Sequence, residues 1–222
     1  MKPISWKSHR GNWKYLREQE VELDDLPRGG DPLWAMLYPA RYEVGMANLG
    51  YQAIISEMRT LGVGVERFFA GRLSRLSVET ERSISDFPLI SASVAYEPDI
   101  LTLLSIFREW GISPSSEERE SQGQPVFGVG GALSYINPLV FSGMADYVVL
   151  GDGENVIVHL VREARQYMRN GDRSKFRRAL AEHPSIYVPS LHDRIILRGG
   201  RVQKDRNIID NLDDARGKSL WV

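Results

Sequence analysis

The chain has 222 residues, of which 42% are hydrophobic and 26% charged, with a formal net charge of −1. This is ordinary globular usage, and it lacks the basic excess of a nucleic-acid binder. There is no cysteine, so the chain forms no disulfide and gives no thiolate to a metal or iron–sulfur cluster.

No apolar run reaches the roughly 18–20 residues of a membrane span, and MKPISWKSHRGNW at the start has no signal-peptide core. A cytoplasmic protein is the expectation. Residues 1–31 are polar and irregular, and DDLPRGGDP marks a break before the first strand. LWAMLYP (33–39) reads as a buried strand. Residues 46–61 read as a helix, with Met46, Leu49, Ala53, Met58 and Leu61 near helical spacing. VGVERFFA (63–70) is a second strand, and the polar GRLSRLSVETERSISDFP is expected to wind back across the sheet.

LISASVA (89–95) is a third strand, and Pro98 suits the first turn of the helix that follows. That helix, 98–111, puts Ile100, Leu103, Leu104, Phe107 and Trp110 on one face. PVFGVGG (125–131) is a strand ending in glycines. ADYVVLGDGE (145–154) is another, followed by a helix through about Met168 whose apolar stripe is Val156, Ile157, Leu160, Val161, Ala164 and Met168. Short apolar strands alternating with amphipathic helices predict a doubly wound α/β fold, Rossmann-like or flavodoxin-like, with a parallel sheet of about five strands.

Beyond residue 172 the character changes. SKFRRALAEH reads as a short basic helix, and SIYVPSLHDRIILRGGRVQKDR as a strand followed by a hairpin turning at RGGR. Three parts are expected: an extension over 1–31, the α/β domain over 32–172, and a helix/hairpin extension with a linker over 173–222.

Ligands of doubly wound sheets bind beyond the carboxyl ends of the strands, at the switch point. Those ends read YPARYEVGMANLG, SVAYEPD, GVGGALSYINP and LGDGEN. Glycine there lets backbone approach a ligand, and helix N-termini offer free N–H donors. Tyr42, Tyr96 and Tyr135 are suited to pack a flat ligand and donate a hydrogen bond. Glu43 and Glu97 stand out among the acidic residues because each follows an aromatic at this edge; a solvated loop charge is the alternative reading of both. Asp152 and Glu154 complement a helix dipole, worth about 0.3–1 kcal/mol, and capping suffices to explain them.

No catalytic constellation is present: G-x-S-x-G, H-E-x-x-H and G-x-x-x-x-G-K-[ST] are all missing. GVGGAL is half a dinucleotide fingerprint placed after a late strand, which counts against a stand-alone nucleotide-binding protein. His9, His159, His183 and His192 are scattered, and no metal ligand set emerges.

YPARYEVGMANLGYQAI, VGVERFFA, SASVAYEPDIL and GVGGALSYINPLVFSGMADYVVLGDGENVI together resemble the N-terminal domain of radical S-adenosylmethionine (radical SAM) proteins, in the subgroup whose first domain is a cobalamin-binding-like α/β module. SIYVPSL resembles the strand that precedes the radical barrel. The resemblance implies that a C-x-x-x-C-x-x-C segment, binding a 4Fe-4S cluster and S-adenosylmethionine, would follow this tail in a C-terminal barrel of the same protein. The chain is then an excised N-terminal domain with no complete active site of its own.

It further implies a cobalamin site formed by Tyr42, Glu43, Gly45, Asn48, Ser93 (or Ser91), Tyr96, Glu97, Gly130, Gly131, Gly151, Asp152, Gly153 and Glu154. Gly130 and Gly131 resemble the glycine pair beside the nucleotide tail, and GDGE the motif that closes the site. Cobalamin domains of the mutase type carry D-x-H-x-x-G after the first strand; RYEVGMANLG has no histidine, so a base-off and His-off cofactor is implied.

Two readings follow. One is a cofactor-binding domain of a radical enzyme; the other is a degenerate cobalamin fold that recognises a substrate or partner. In the second, a filled groove is expected, with side chains such as Tyr135 or Phe141 occupying it. The basic tail (Lys175, Arg177, Arg178, Arg194, Arg198 and Arg201) is open to RNA or an acidic partner, though a solvated helix face is the preferred explanation. The substrate is not encoded in any motif.

Overall fold

The structure is a computed structural model and describes residues 13–21, 29–71 and 75–192, with the backbone of 195–198 and 201–204. The linker expected near the C-terminus and the side chains of Arg194, Arg198 and Arg201 lie outside the described residues.

Five parallel strands form the body of the sheet: β1 (Leu33–Tyr38), β2 (Gly64–Phe69), β3 (Leu89–Ser93), β4 (Val126–Gly130) and β5 (Tyr147–Val149). A sixth, β6 (Ile186–Tyr187), runs antiparallel along β5, and the order is β2-β1-β3-β4-β5-β6. The fold is a doubly wound α/β sheet, and the 2-1-3-4-5 order puts the switch point between β1 and β3. SIYVPSL therefore closes this sheet, with Leu150 N–H bonded to Ser185 O at 2.8 Å. The expected hairpin is present as β7 (Ile195–Arg198) and β8 (Arg201–Lys204).

On one face lie α3 (Leu49–Thr60), α7 (Glu154–Asn170) and α8 (Arg173–Ala181), packing Tyr51, Ile55, Met58, Val156, Ile157, Leu160, Phe176 and Leu180 into one core cluster. The other face carries α4 (Pro98–Trp110), whose Leu103, Ile106 and Phe107 pack on Ile90, Ala92, Phe127 and Val129. α8 follows α7 directly: Gly171 ends α7 in the left-handed region and Asp172 caps α8 by accepting from Lys175 N–H.

Several expectations are corrected. The helix expected at 46–61 is present as α3 but starts later, after a separate short helix α2 (Tyr42–Met46), because Asn48 Oδ1 accepts from Tyr51 N–H at 2.9 Å and caps a new start. The last parallel strand stops at Val149, since Gly151 turns the chain at φ +90. Met168 and Leu104 are 40% and 37% exposed, outside the core to which the apolar stripes assigned them. The N-terminal extension holds a helix, α1 (Trp13–Gln19), anchored by a buried Trp13. The polar stretch after β2 lies along that strand's free edge, Val78 N–H bonding Arg67 O at 2.9 Å.

Candidate functional site

Strand alternation puts every second residue of the two central strands on the α3/α7 face. On β3 these are Leu89, Ser91 and Ser93, and on β4 they are Val126, Gly128 and Gly130, paired Leu89↔Val126, Ser91↔Gly128 and Ser93↔Gly130. The opposite face carries Ile90, Ala92, Phe127 and Val129 and is packed solid. Toward their carboxyl ends the two strands bear only serine and glycine on this face, which cannot fill the space beneath helices that rest on bulkier neighbours. A cavity of about 350 Å³ results, roofed by Ile54, Met58, Ile157 and Leu160.

The floor is aromatic. Trp34 Nε1 donates to Ser91 Oγ at 2.9 Å, and Ser91 Oγ lies 2.8 Å from the Tyr147 hydroxyl. Gly128 makes this possible: a Cβ there would lie 2.0 Å from the Tyr147 ring. Burial raises the Tyr147 pKa, so the hydroxyl stays neutral at ordinary pH, although its bond to Ser91 pulls the other way. Tyr51 closes one wall, donating its hydroxyl to Met36 O at 2.7 Å.

At the mouth, Gly131 sits at φ +100, and a Cβ would stand 2.6 Å from Val94 O. Only glycine lets β4 leave the sheet this close to the end of β3. Gly151, Asp152, Gly153 and Glu154 form the opposite lip before α7, and Asn48 the third side. Asn48 Nδ2 also reaches the Tyr38 hydroxyl at 3.4 Å.

Thus Asn48, Ser93, Gly130, Gly131, Gly151, Asp152, Gly153 and Glu154 come together around one cavity. Tyr42, Glu43, Gly45, Tyr96 and Glu97 are not among its lining residues. Tyr42 is half-buried beside Trp13 and Phe69, with its hydroxyl on Glu20. Gly45 is buried against Phe69 and Tyr38, while Glu43, Tyr96 and Glu97 are exposed. Neither Tyr135 nor Phe141 fills the groove: Tyr135 is 43% exposed and Phe141 is buried in the other face's core. Among the lining residues that sequence reasoning did not single out are the aromatic Trp34, Tyr51 and Tyr147; the small-residue alternation S-x-S and G-x-G was the available signal.

Among the described residues, the lining contains no histidine, lysine or arginine. Around the mouth, Val44, Leu49, Tyr96, Tyr135, Ile136, Leu139 and Val140 are exposed apolar side chains in the segments that follow β1, β3 and β4. Among the described residues, no group of three or more His, Asp or Glu is placed to hold a metal, and no helix is long and apolar enough to cross a membrane.

Charge is concentrated at the sheet's other end. Asp146, immediately before β5, is fully buried and receives Arg173 at 2.9 and 2.7 Å, Arg177 Nε at 3.0 Å and Arg119 at 3.3 Å. Its oxygen also accepts from Phe127 N–H at 2.8 Å. Burial alone would raise its pKa, but the surrounding guanidiniums prevail and lower it. Burial pulls Arg119 down to about 10. The basic helix is therefore solvated only in part: Lys175 and Arg178 are exposed, whereas Arg173 and Arg177 are buried in this cluster.

The profile of the family described as radical SAM proteins, N-terminal, matches residues 65–189, more than half of the chain, from β2 through β6. The chain belongs to that family of radical SAM N-terminal domains. No curated protein matches it.

Proposed function

We propose that this chain is the cofactor-holding N-terminal module of a radical SAM enzyme, and that the groove under α3 and α7 takes the tail of a cobalamin. The single observation that carries this is the groove itself: about 350 Å³, left by Ser91, Ser93, Gly128 and Gly130, and opening at the carboxyl edge of the sheet. That size lies within the range of roughly 300–1,000 Å³ usual for small-molecule pockets. The residues fit the group: an apolar roof, small residues along β3 and β4 above an aromatic floor, and an apolar rim against which a flat macrocycle can lie. None of the described lining residues is a histidine, so a cobalamin held here would take no histidine ligand from the groove.

Cobalamin, when bound, supplies a cobalt centre that carries a methyl or other fragment. The chain's own residues would do the rest. Ser93 and Gly130 leave the channel open, Asn48 and the Gly151–Glu154 lip orient what protrudes, and the rim side chains exclude water against the catalytic part of the protein. The 4Fe-4S cluster and S-adenosylmethionine belong to that part, since this chain has no cysteine.

One observation favours a second reading, a recognition module without cofactor. The deep hydroxyl of Ser91 is already bonded on both sides, to Trp34 and Tyr147, which closes the floor to a polar ligand group. An absorbance titration with hydroxocobalamin, followed by desalting, decides between them. A corrinoid spectrum retained near one equivalent is expected; complete loss of the corrinoid contradicts the cofactor reading.

A further inference from the structure

The N-terminal helix packs beside α2, next to the groove and not in it, and lies outside the family match, which begins at residue 65. Glu20, one residue past α1, accepts from Arg67 Nη1 at 2.7 Å and Nη2 at 2.9 Å, and from the Tyr42 hydroxyl. Arg67 gives its backbone N–H and Nε to the buried Glu79, each at 2.6 Å, and its Nη1 lies 3.2 Å from Met46 Sδ. Trp13 adds ring contacts to Tyr42 and Phe69 with centroids at 6.0 and 6.2 Å.

All of this converges on α2. That helix is five residues long, its N-cap Arg41 makes no side-chain cap, and a single turn is not stable alone. It leads within two residues into Asn48, which both caps α3 and lines the groove. Tyr42 and Met46, at i and i+4, present one side of α2 to Glu20 and Arg67.

We propose that Glu20 is a positioning residue for the groove: by seating α2 through Tyr42 and Arg67, it fixes Asn48 at the mouth. The link to function rests on the groove being the ligand site, whereas the seating of α2 stands on its own geometry. Glu20 is nearly buried, its side chain 14% exposed, so its bidentate pair with Arg67 is shielded from solvent.

Hydrogen exchange read by mass spectrometry on the full 222-residue chain tests it. Glu20→Gln and Glu20→Ala are compared with wild type, and Arg82→Ala serves as control because the half-exposed Arg82 side chain meets Glu66 at 4.0 Å and the Phe87 ring at 5.9 Å, and neither belongs to α2. Exchange across residues 42–48 rises about tenfold in both Glu20 variants, less in Tyr42→Phe, and not in the control, while β3 and β4 keep their protection. If Glu20→Ala does not fold, Glu20→Gln, which preserves the shape, decides.

A rise confined to residues 13–21, or none, overturns the proposal and leaves α1 a surface helix. Hydroxocobalamin retention is read on the same samples. If wild type itself retains none, the cofactor reading fails, and the exchange pattern still decides the seating of α2.

Discussion

The two ends of the same strands are built on opposite principles. At the amino end, Asp146 and three arginines bind β4, β5, α5 (Ser116–Ser121) and α8 together through buried charges. At the carboxyl end, β3 and β4 offer serine, glycine and empty volume, with no cation in the lining. Charged ties hold one end closed, and missing side chains keep the other open. A binding fold needs both, because an open groove contributes little packing and stability must come from elsewhere.

The largest expected effect breaks the closed end. Asp146→Ala leaves three buried guanidiniums without their shared carboxylate and is expected to cost about 3–5 kcal/mol, measured by urea unfolding. The same group sets an acid limit. Its folded pKa lies below the unfolded value of about 3.9, so its contribution is complete above that pH and is lost as pH falls through the folded value. Asp146→Asn should therefore flatten the acid limb of the stability curve while leaving its neutral part lower.

Next come the glycines of the open end. Gly131→Ala meets both a positive φ and Val94 O and is expected to cost about 1–3 kcal/mol by thermal melting. It makes a poor probe of binding for that reason. Gly128→Ala should displace the Tyr147 ring from the floor, with a cost of about 1–3 kcal/mol and a change in near-ultraviolet dichroism. Tyr147→Phe removes one hydroxyl while Trp34 keeps its acceptor, for about 1 kcal/mol in urea unfolding. The smallest effect is at Gly130, where a Cβ would meet only Val149, at 3.8 Å. Gly130→Val should change stability by less than about 1 kcal/mol while filling the groove.

The sheet was largely legible because LWAML, LISAS and VFGVG are apolar runs between turn signals, and a buried parallel strand has no other appearance. The division at Asn48 was hidden, since apolar spacing continues across it and only the cap breaks the helix. α1 was hidden for the opposite reason: it is a short segment with few apolar residues, held by the tertiary contacts of Trp13 and Leu16.

At the site, the glycine and acidic lip could be read from strand ends. Trp34 and Tyr147 could not, because which side of a buried strand faces a groove depends on what its neighbours lack. Tyr42 looked like a ligand residue by position, but Trp13 and Glu20, distant in sequence, hold it outside the groove. Arg177 read as solvated because its partner Asp146 lies on another element altogether.

The measurement that tests the central claim most directly is hydroxocobalamin retention by wild type and Gly130→Val in parallel, at matched melting temperature. Retention by wild type and its loss in Gly130→Val is the predicted result, placing the tail in the groove between the serine–glycine strands and α3/α7. Equal retention by both, or none by wild type, would contradict it.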